Sequence, residues 1–193
     1  MLGRFLRQPD AGPGSTASGP SPRATGADDS DTDTVRRIVR ELEALPRERA
    51  RFLAAFAYVL TRAAASDLEI ADVEMAAIER LIGEYGGLPP AQAVLVAEMA
   101  RTQSLLHGGT EDYLVTRQFK ELSTQEERVA LLRCCYLVGA ADDTITASES
   151  DTLQEIAFEL DLDRPTVNAI RNEFASKLSA IQALLRLRGD APA

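Results

Sequence analysis

The residues of this chain whose types and spacing could do chemistry are carboxylates, and they come in two matching sets. Sliding the sequence by 75 residues lays Ala65-Ser66-Asp67-Leu68-Glu69-Ile70, followed by Glu74, on Ala140-Ala141-Asp142-Asp143-Thr144-Ile145, followed by Glu149. Hard oxygen ligands with no histidine beside them suit Ca²⁺ or Mg²⁺ better than Zn²⁺. One reading is therefore a divalent cation shared by Asp67, Glu69 and Glu74, joined by Asp142 and Glu149 from the second set. The other is structural: Glu149 is the N3 partner of Thr146 in a capping box, and Asp67 or Asp142 folds onto its own turn as an Asx cap. An EF-hand is excluded, because its calcium loop would require Glu where Ile78 stands. Under either reading something must compensate Asp67 and Asp142. Each falls at the C-terminal end of a predicted helix, where the macrodipole disfavours a carboxylate by about 0.3–1 kcal/mol.

A further acidic signal follows the second set. From Cys134 through Asp163 there are eight acids and no Lys or Arg, and Asp151, Glu155 and Glu159 are spaced four apart on one predicted helical face. Such a face is either a solvated surface or a docking surface for a basic partner. Groups suited to catalysis are few. The single histidine, His107, precedes Gly108-Gly109 in a predicted loop, and no G-x-S-x-G elbow, Gly-rich phosphate loop or C-x-x-C accompanies it. Cys134 and Cys135 lie among Leu131, Leu132, Leu137 and Val138, where a thiol behaves as a small core hydrophobe. This inventory argues against an enzyme.

The elements that must hold these residues are all helical, since apolar residues recur at spacings of three and four with no sustained alternation. Eight helices and no strand are predicted. The first spans about 34–44; the second, about 46–65, turns Leu53, Phe56, Leu60 and Ala63 inward. The third, about 72–84, buries Met75, Ile78, Leu81, Ile82 and Tyr85 and stops at Gly86-Gly87. A fourth opens at Pro89-Pro90 with Val94, Leu95, Val96 and Met99, and a fifth runs from Thr110 to near Leu122. Ser123 to Glu126 has capping-box spacing for a sixth, with Leu131, Cys134, Cys135 and Val138 on one face. Thr146 to Glu149 repeats it for a seventh, burying Leu153, Ile156, Ala157 and Leu160. Asp163 caps one long final helix with a stripe of Val167, Ile170, Phe174, Leu178, Ile181 and Leu185. The 75-residue shift also pairs Ala57 with Leu132, Leu60 with Cys135, Ile78 with Leu153 and Leu81 with Ile156. The chain thus reads as a helix–turn–helix unit present twice and packed about a pseudo-twofold.

With 193 residues, 45% of them hydrophobic, and a formal charge of −9, the chain suits one compact domain. Residues 1–50 carry eight basic and eight acidic side chains, so the nine excess negative charges lie in residues 51–193. An acidic body is a poor nucleic-acid binder, because phosphate neutralisation needs clustered cations. Two adjacent cysteines make no disulfide framework and fit the cytoplasm. No apolar run approaches the length of about 20 residues that a bilayer span needs, and the N-terminus lacks the pattern of a secretory signal. Residues 8–33 are rich in Gly, Pro, Ser and Asp and predict a flexible tail. Leu2, Phe5 and Leu6, with Arg4 and Arg7, form either a frayed end or a short amphipathic anchor for a membrane surface or partner. The expected layout is a tail over 1–33, an all-helical domain over 34–188 and a short C-terminal tail over 189–193.

The duplicated motif resembles the TerB-like family, which includes the tellurite-resistance protein TerB and the N-terminal domain of the co-chaperone DjlA. The family pattern is an Ala-rich helix ending in Ala-x-Asp-Gly-x-Ile with Glu four residues past the Ile, present twice, and the likeness covers about residues 48–180. Leu68 and Asp143 stand where the pattern has Gly, and Thr144 stands where an acid is frequent. The resemblance implies an all-α fold of about seven helices, an intracellular setting and acidic residues that hold a divalent metal. Two functions follow as expectations. One is a non-enzymatic module of the tellurite or stress response with Ca²⁺ or Mg²⁺ at the acidic turns. The other is an interaction scaffold like the DjlA N-terminal domain, docking a basic partner through Asp151, Glu155 and Glu159.

Overall fold

Pro46 has no amide hydrogen to leave unpaired, and it opens the helix that organises the molecule, α1, Arg47–Ala64. The computed structural model describes residues 36, 37, 40–65 and 70–188. In it Leu53, Phe56, Leu60 and Ala63 are buried as expected, and Ala55, Ala57, Tyr58 and Val59 are buried with them. α1 is therefore enclosed on nearly every side, and α2 (Asp72–Gly86), α3 (Pro90–His107), α4 (Asp112–Leu122), α5 (Gln125–Gly139) and α6 (Ala147–Glu159) all pack against it. α7 (Arg164–Glu173) lies on α5, and a 3₁₀ turn (Ala175–Lys177) leads into α8 (Ser179–Arg188). Among the described residues there is no β-strand, only an isolated bridge between Ile145 and Leu178. No described helix is long and apolar enough to cross a membrane.

Both copies of the repeat fold as helix, turn, helix: α1 into α2, and α5 into α6. Their paired core positions, Ala57 with Leu132, Leu60 with Cys135, Ile78 with Leu153 and Leu81 with Ile156, are all buried. Each large aliphatic side chain enclosed this way contributes about 1.5–3 kcal/mol before entropy is counted. Gly86-Gly87 end α2 as predicted. Gly87 takes a left-handed φ of 63°, and a Cβ on Gly86 would meet Leu53 Cδ2 at 2.8 Å.

Three expectations need correcting, and α3 packs through its small residues: Val94 and Met99 are exposed, while Ala93, Ala97 and Ala100, with Gln92 and Ser104, face the core. Small side chains let α3 lie close against α1 and α2, so the larger apolar residues are left outside. Tyr85 is half exposed, its ring tilted against Phe56 at the edge of a cluster with Phe52 and Phe119. The capping box of α5 uses Thr124 and Glu127, one residue beyond the predicted pair. Finally, the single long terminal helix is two. Leu178 turns extended (φ −66°, ψ 122°) between α7 and α8 and enters the core, and none of the residues of α8 is buried. The break pairs the backbone of Ile145, whose N–H donates to the Lys177 carbonyl (2.7 Å) and whose carbonyl accepts from Ser179 (2.9 Å). Residues 1–35, with Leu2, Phe5 and Leu6, lie outside the described residues, as do Asp67, Glu69 and 189–193.

Candidate functional site

The second acidic turn is fully described. Asp142 Oδ1 accepts from the amide of Thr144 at 3.0 Å, an Asx turn. Asp143 adopts a left-handed φ of 73°, the conformation that glycine would take there, and its carboxylate pairs with Lys177. Thr146 Oγ1 accepts from the amide of Glu149 at 3.2 Å, and Glu149 Oε2 accepts from the amide of Thr146 at 2.7 Å. This reciprocal box opens α6. Glu149 is buried because it sits against the end of α5, where its Oε1 lies 3.6 Å from the place a Cβ on Gly139 would occupy.

In the first turn Glu74 does the same with half the equipment. Its Oε2 accepts from the amide of Ala71 at 2.8 Å, but Ala71 has no side-chain oxygen to return the bond. Glu74 is buried, like Glu149. The glutamate of the repeated motif is thus a helix cap in both copies. Among the described residues, no three His, Cys, Asp or Glu side chains gather in a group that could hold a metal ion. In the second turn Asp142, Asp143 and Glu149 each accept a hydrogen bond from inside the protein. Of the first set only Glu74 is among the described residues.

A cluster that the sequence reading missed centres on Arg62. Its side chain is only 8% exposed, yet it is charged, and it joins three helices. Glu159 of α6 accepts from Nη1 at 2.5 Å and from Nη2 at 3.1 Å, while Glu155 accepts from Nη2 at 3.3 Å. From α4, Thr116 Oγ1 accepts from Nη1 at 3.0 Å and Asp112 approaches Nε at 3.7 Å. Tyr58 O–H donates to the same Asp112 at 2.9 Å. Burial and the hydrogen bond to Asp112 push the Tyr58 hydroxyl well above its ordinary range. Burial works against the Arg62 charge, but Glu159 and its neighbours outweigh it and hold the pKa up. Of the predicted acidic face, Glu159 therefore points inward and Glu155 is shared, while Asp151 is exposed. The signal for Arg62 is a lone charge in a run otherwise free of charged residues, Leu53 to Ala64.

A family model described as Tellurite resistance protein TerB matches residues 52–172. The chain belongs to the TerB family. No curated protein and no solved structure shows a significant match to it. The TerB match takes in both acidic turns and the Arg62 cluster, and it ends before the 3₁₀ turn, Lys177 and α8.

The remaining chemistry of this TerB chain is muted. Cys134 and Cys135 are free and buried; burial pushes the Cys134 thiol up to about 12 and that of Cys135 well above its usual value. His107 is the last residue of α3 and is exposed. Because α3 turns its larger side chains outward, an open apolar groove of about 470 Å³ runs beside it, lined by Leu42, Leu45, Leu53, Val96, Met99 and Val115.

Proposed function

We propose that this TerB protein is a non-enzymatic, cytoplasmic module of the tellurite and stress response that acts by binding rather than by turnover. The family match over residues 52–172 carries this reading. The chemistry of the thiols supports the second half of it. Groups held neutral inside the core are poor nucleophiles and poor reductants of an oxyanion in solution. Expression of the chain in a tellurite-sensitive bacterium should raise tolerance. A Cys134→Ala/Cys135→Ala variant with an intact melting transition should protect as well as the wild type. Loss of protection in that folded variant would contradict binding without chemistry, and no protection by the wild type would contradict the tellurite assignment.

A second reading is an interaction scaffold, favoured by one observation. Phe158 is 85% exposed on α6, on a helix that also exposes Asp151 and Glu155. An exposed aromatic among carboxylates fits a basic partner that offers an apolar pocket. Phe158→Ala with Asp151→Asn should abolish a salt-sensitive capture of such a partner without lowering stability. Unchanged recovery would count against this reading. Glu159 is left intact in that test because it holds Arg62.

A further inference from the structure

The C-terminal end of α5 concentrates negative charge. Fifteen residues of helix end at Gly139, and the turn that follows carries both Asp142 and Asp143. The cation that meets Asp143 comes from the segment after α7. Lys177 Nζ donates to Asp143 Oδ1, and the backbone around Lys177 is registered on the turn by the two hydrogen bonds of Ile145, 2.7 and 2.9 Å. Gln182 adds a clamp: its Nε2 donates to the Asp143 carbonyl at 3.0 Å and to the Ser176 carbonyl at 3.2 Å, while the Thr144 hydroxyl donates to its Oε1 at 3.4 Å. Leu178, buried, fixes the segment from behind. Every one of these strap residues lies beyond residue 172, where the family match ends.

We infer that Lys177 is the resident cation of the second acidic turn, so that the protein's own strap closes this turn and no divalent ion is taken there. Ca²⁺ requires six to eight oxygen ligands and Mg²⁺ a near-octahedral set. Here Asp142 accepts from the Thr144 amide, Glu149 accepts from the Thr146 amide, and Asp143 faces an ammonium. An ammonium needs only a few acceptors and offers its charge to the helix end as well. The inference also accounts for Asp at 143. Aspartate tolerates the left-handed conformation better than most residues with a side chain, so it keeps the turn while supplying the counter-charge that glycine lacks.

The test uses the full chain and reads amide resonances in two ways: hydrogen exchange at Ile145 and Ser179, and the response of residues 142–149 to Ca²⁺ and Mg²⁺. Wild-type shifts over 142–149 should not move at millimolar concentrations of either ion. Lys177→Met should speed exchange at Ile145 and Ser179 by about threefold, and Lys177→Arg should restore most of the protection. Asp143→Gly, which keeps the turn without its carboxylate, should loosen the strap to the same degree, and adding Lys177→Met to it should change nothing more. Unchanged exchange in both Lys177→Met and Asp143→Gly would overturn the inference. So would saturable, millimolar Ca²⁺ or Mg²⁺ shifts over 142–149 in the wild type.

Discussion

The two helix–turn–helix units share a core pattern but are closed differently. In the second unit Thr146 and Glu149 make a full capping box, and the Lys177 strap covers the turn. In the first unit the cap is half a box, Glu74 onto the Ala71 amide. The first unit carries Arg62, and the 75-residue shift puts Leu137 at its counterpart in the second. A duplicated sequence has thus kept the residues that shape the turn, Asp142 and the paired glutamates, while each copy ties itself to the rest of the fold with its own charge. In both copies the glutamate of the repeated acidic motif is held by helix capping. A buried, backbone-bonded glutamate is as constrained in position as a metal ligand.

Breaking the tie peculiar to the first unit should have the largest effect. Arg62→Met leaves Glu159 facing α1 with no cation, and losing one partner of a buried pair costs about 3–5 kcal/mol. Urea unfolding should register that loss, whereas Leu137→Met at the equivalent position should stay below about 1.5 kcal/mol. Exchanging the caps should sharpen the comparison next. Thr146→Ala should destabilise by about 1 kcal/mol, and Ala71→Thr should stabilise by a similar amount by completing the first box. Both are read as shifts in melting temperature of opposite sign. Acid should separate the units more gently. The hydrogen bond from Lys177 lowers the Asp143 pKa, the Thr166 amide lowers that of Asp163, and the bond from Arg133 lowers that of Glu173. Each therefore favours the folded state above the ordinary carboxyl pKa near about 4 and loses that contribution as pH falls through it toward the depressed folded value. All three lie on or after the second turn. Exchange at Ile145, corrected for intrinsic pH dependence, should accordingly accelerate on acidification before exchange at Ile78 does.

Much of this fold can be read from the chain, and the exceptions have common causes. Stripes of large apolar residues located the buried faces of α1, α5 and α6, and the Thr146 box and the Asp163 cap lie where side-chain oxygens predict them. Weighting by side-chain size failed on α3, because its contact face is alanine and its large residues line an open groove. The stripe from Val167 to Leu185 hid the break at Leu178, which no Gly or Pro announces. Pairing with Ile145, a contact distant in sequence, overrides the local helical preference there. The charged ties were the least legible. Glu155 and Glu159 have the spacing of a solvated face, and only the packing of α6 on α1 shows that they enclose Arg62. Lys177 and Asp143 are 34 residues apart, with no local pattern linking them. In the acidic turns the residues were identifiable, while their use as caps or ligands depended on hydrogen-bond partners that spacing alone leaves open.

The most direct measurement of the capping role is thermal unfolding of Glu74→Ala, Glu74→Gln, Glu149→Ala and Glu149→Gln, each after chelator treatment and again with millimolar Ca²⁺ or Mg²⁺. Glutamine retains a carbonyl oxygen that can accept from the N-cap amide, and alanine does not. Capping predicts that each alanine variant loses about 1–2 kcal/mol, that each glutamine variant loses far less, and that chelator and added ion change neither result. If glutamine proves as damaging as alanine, or if the losses appear only when the divalent ion is present, the glutamates are ligands and the capping account is wrong.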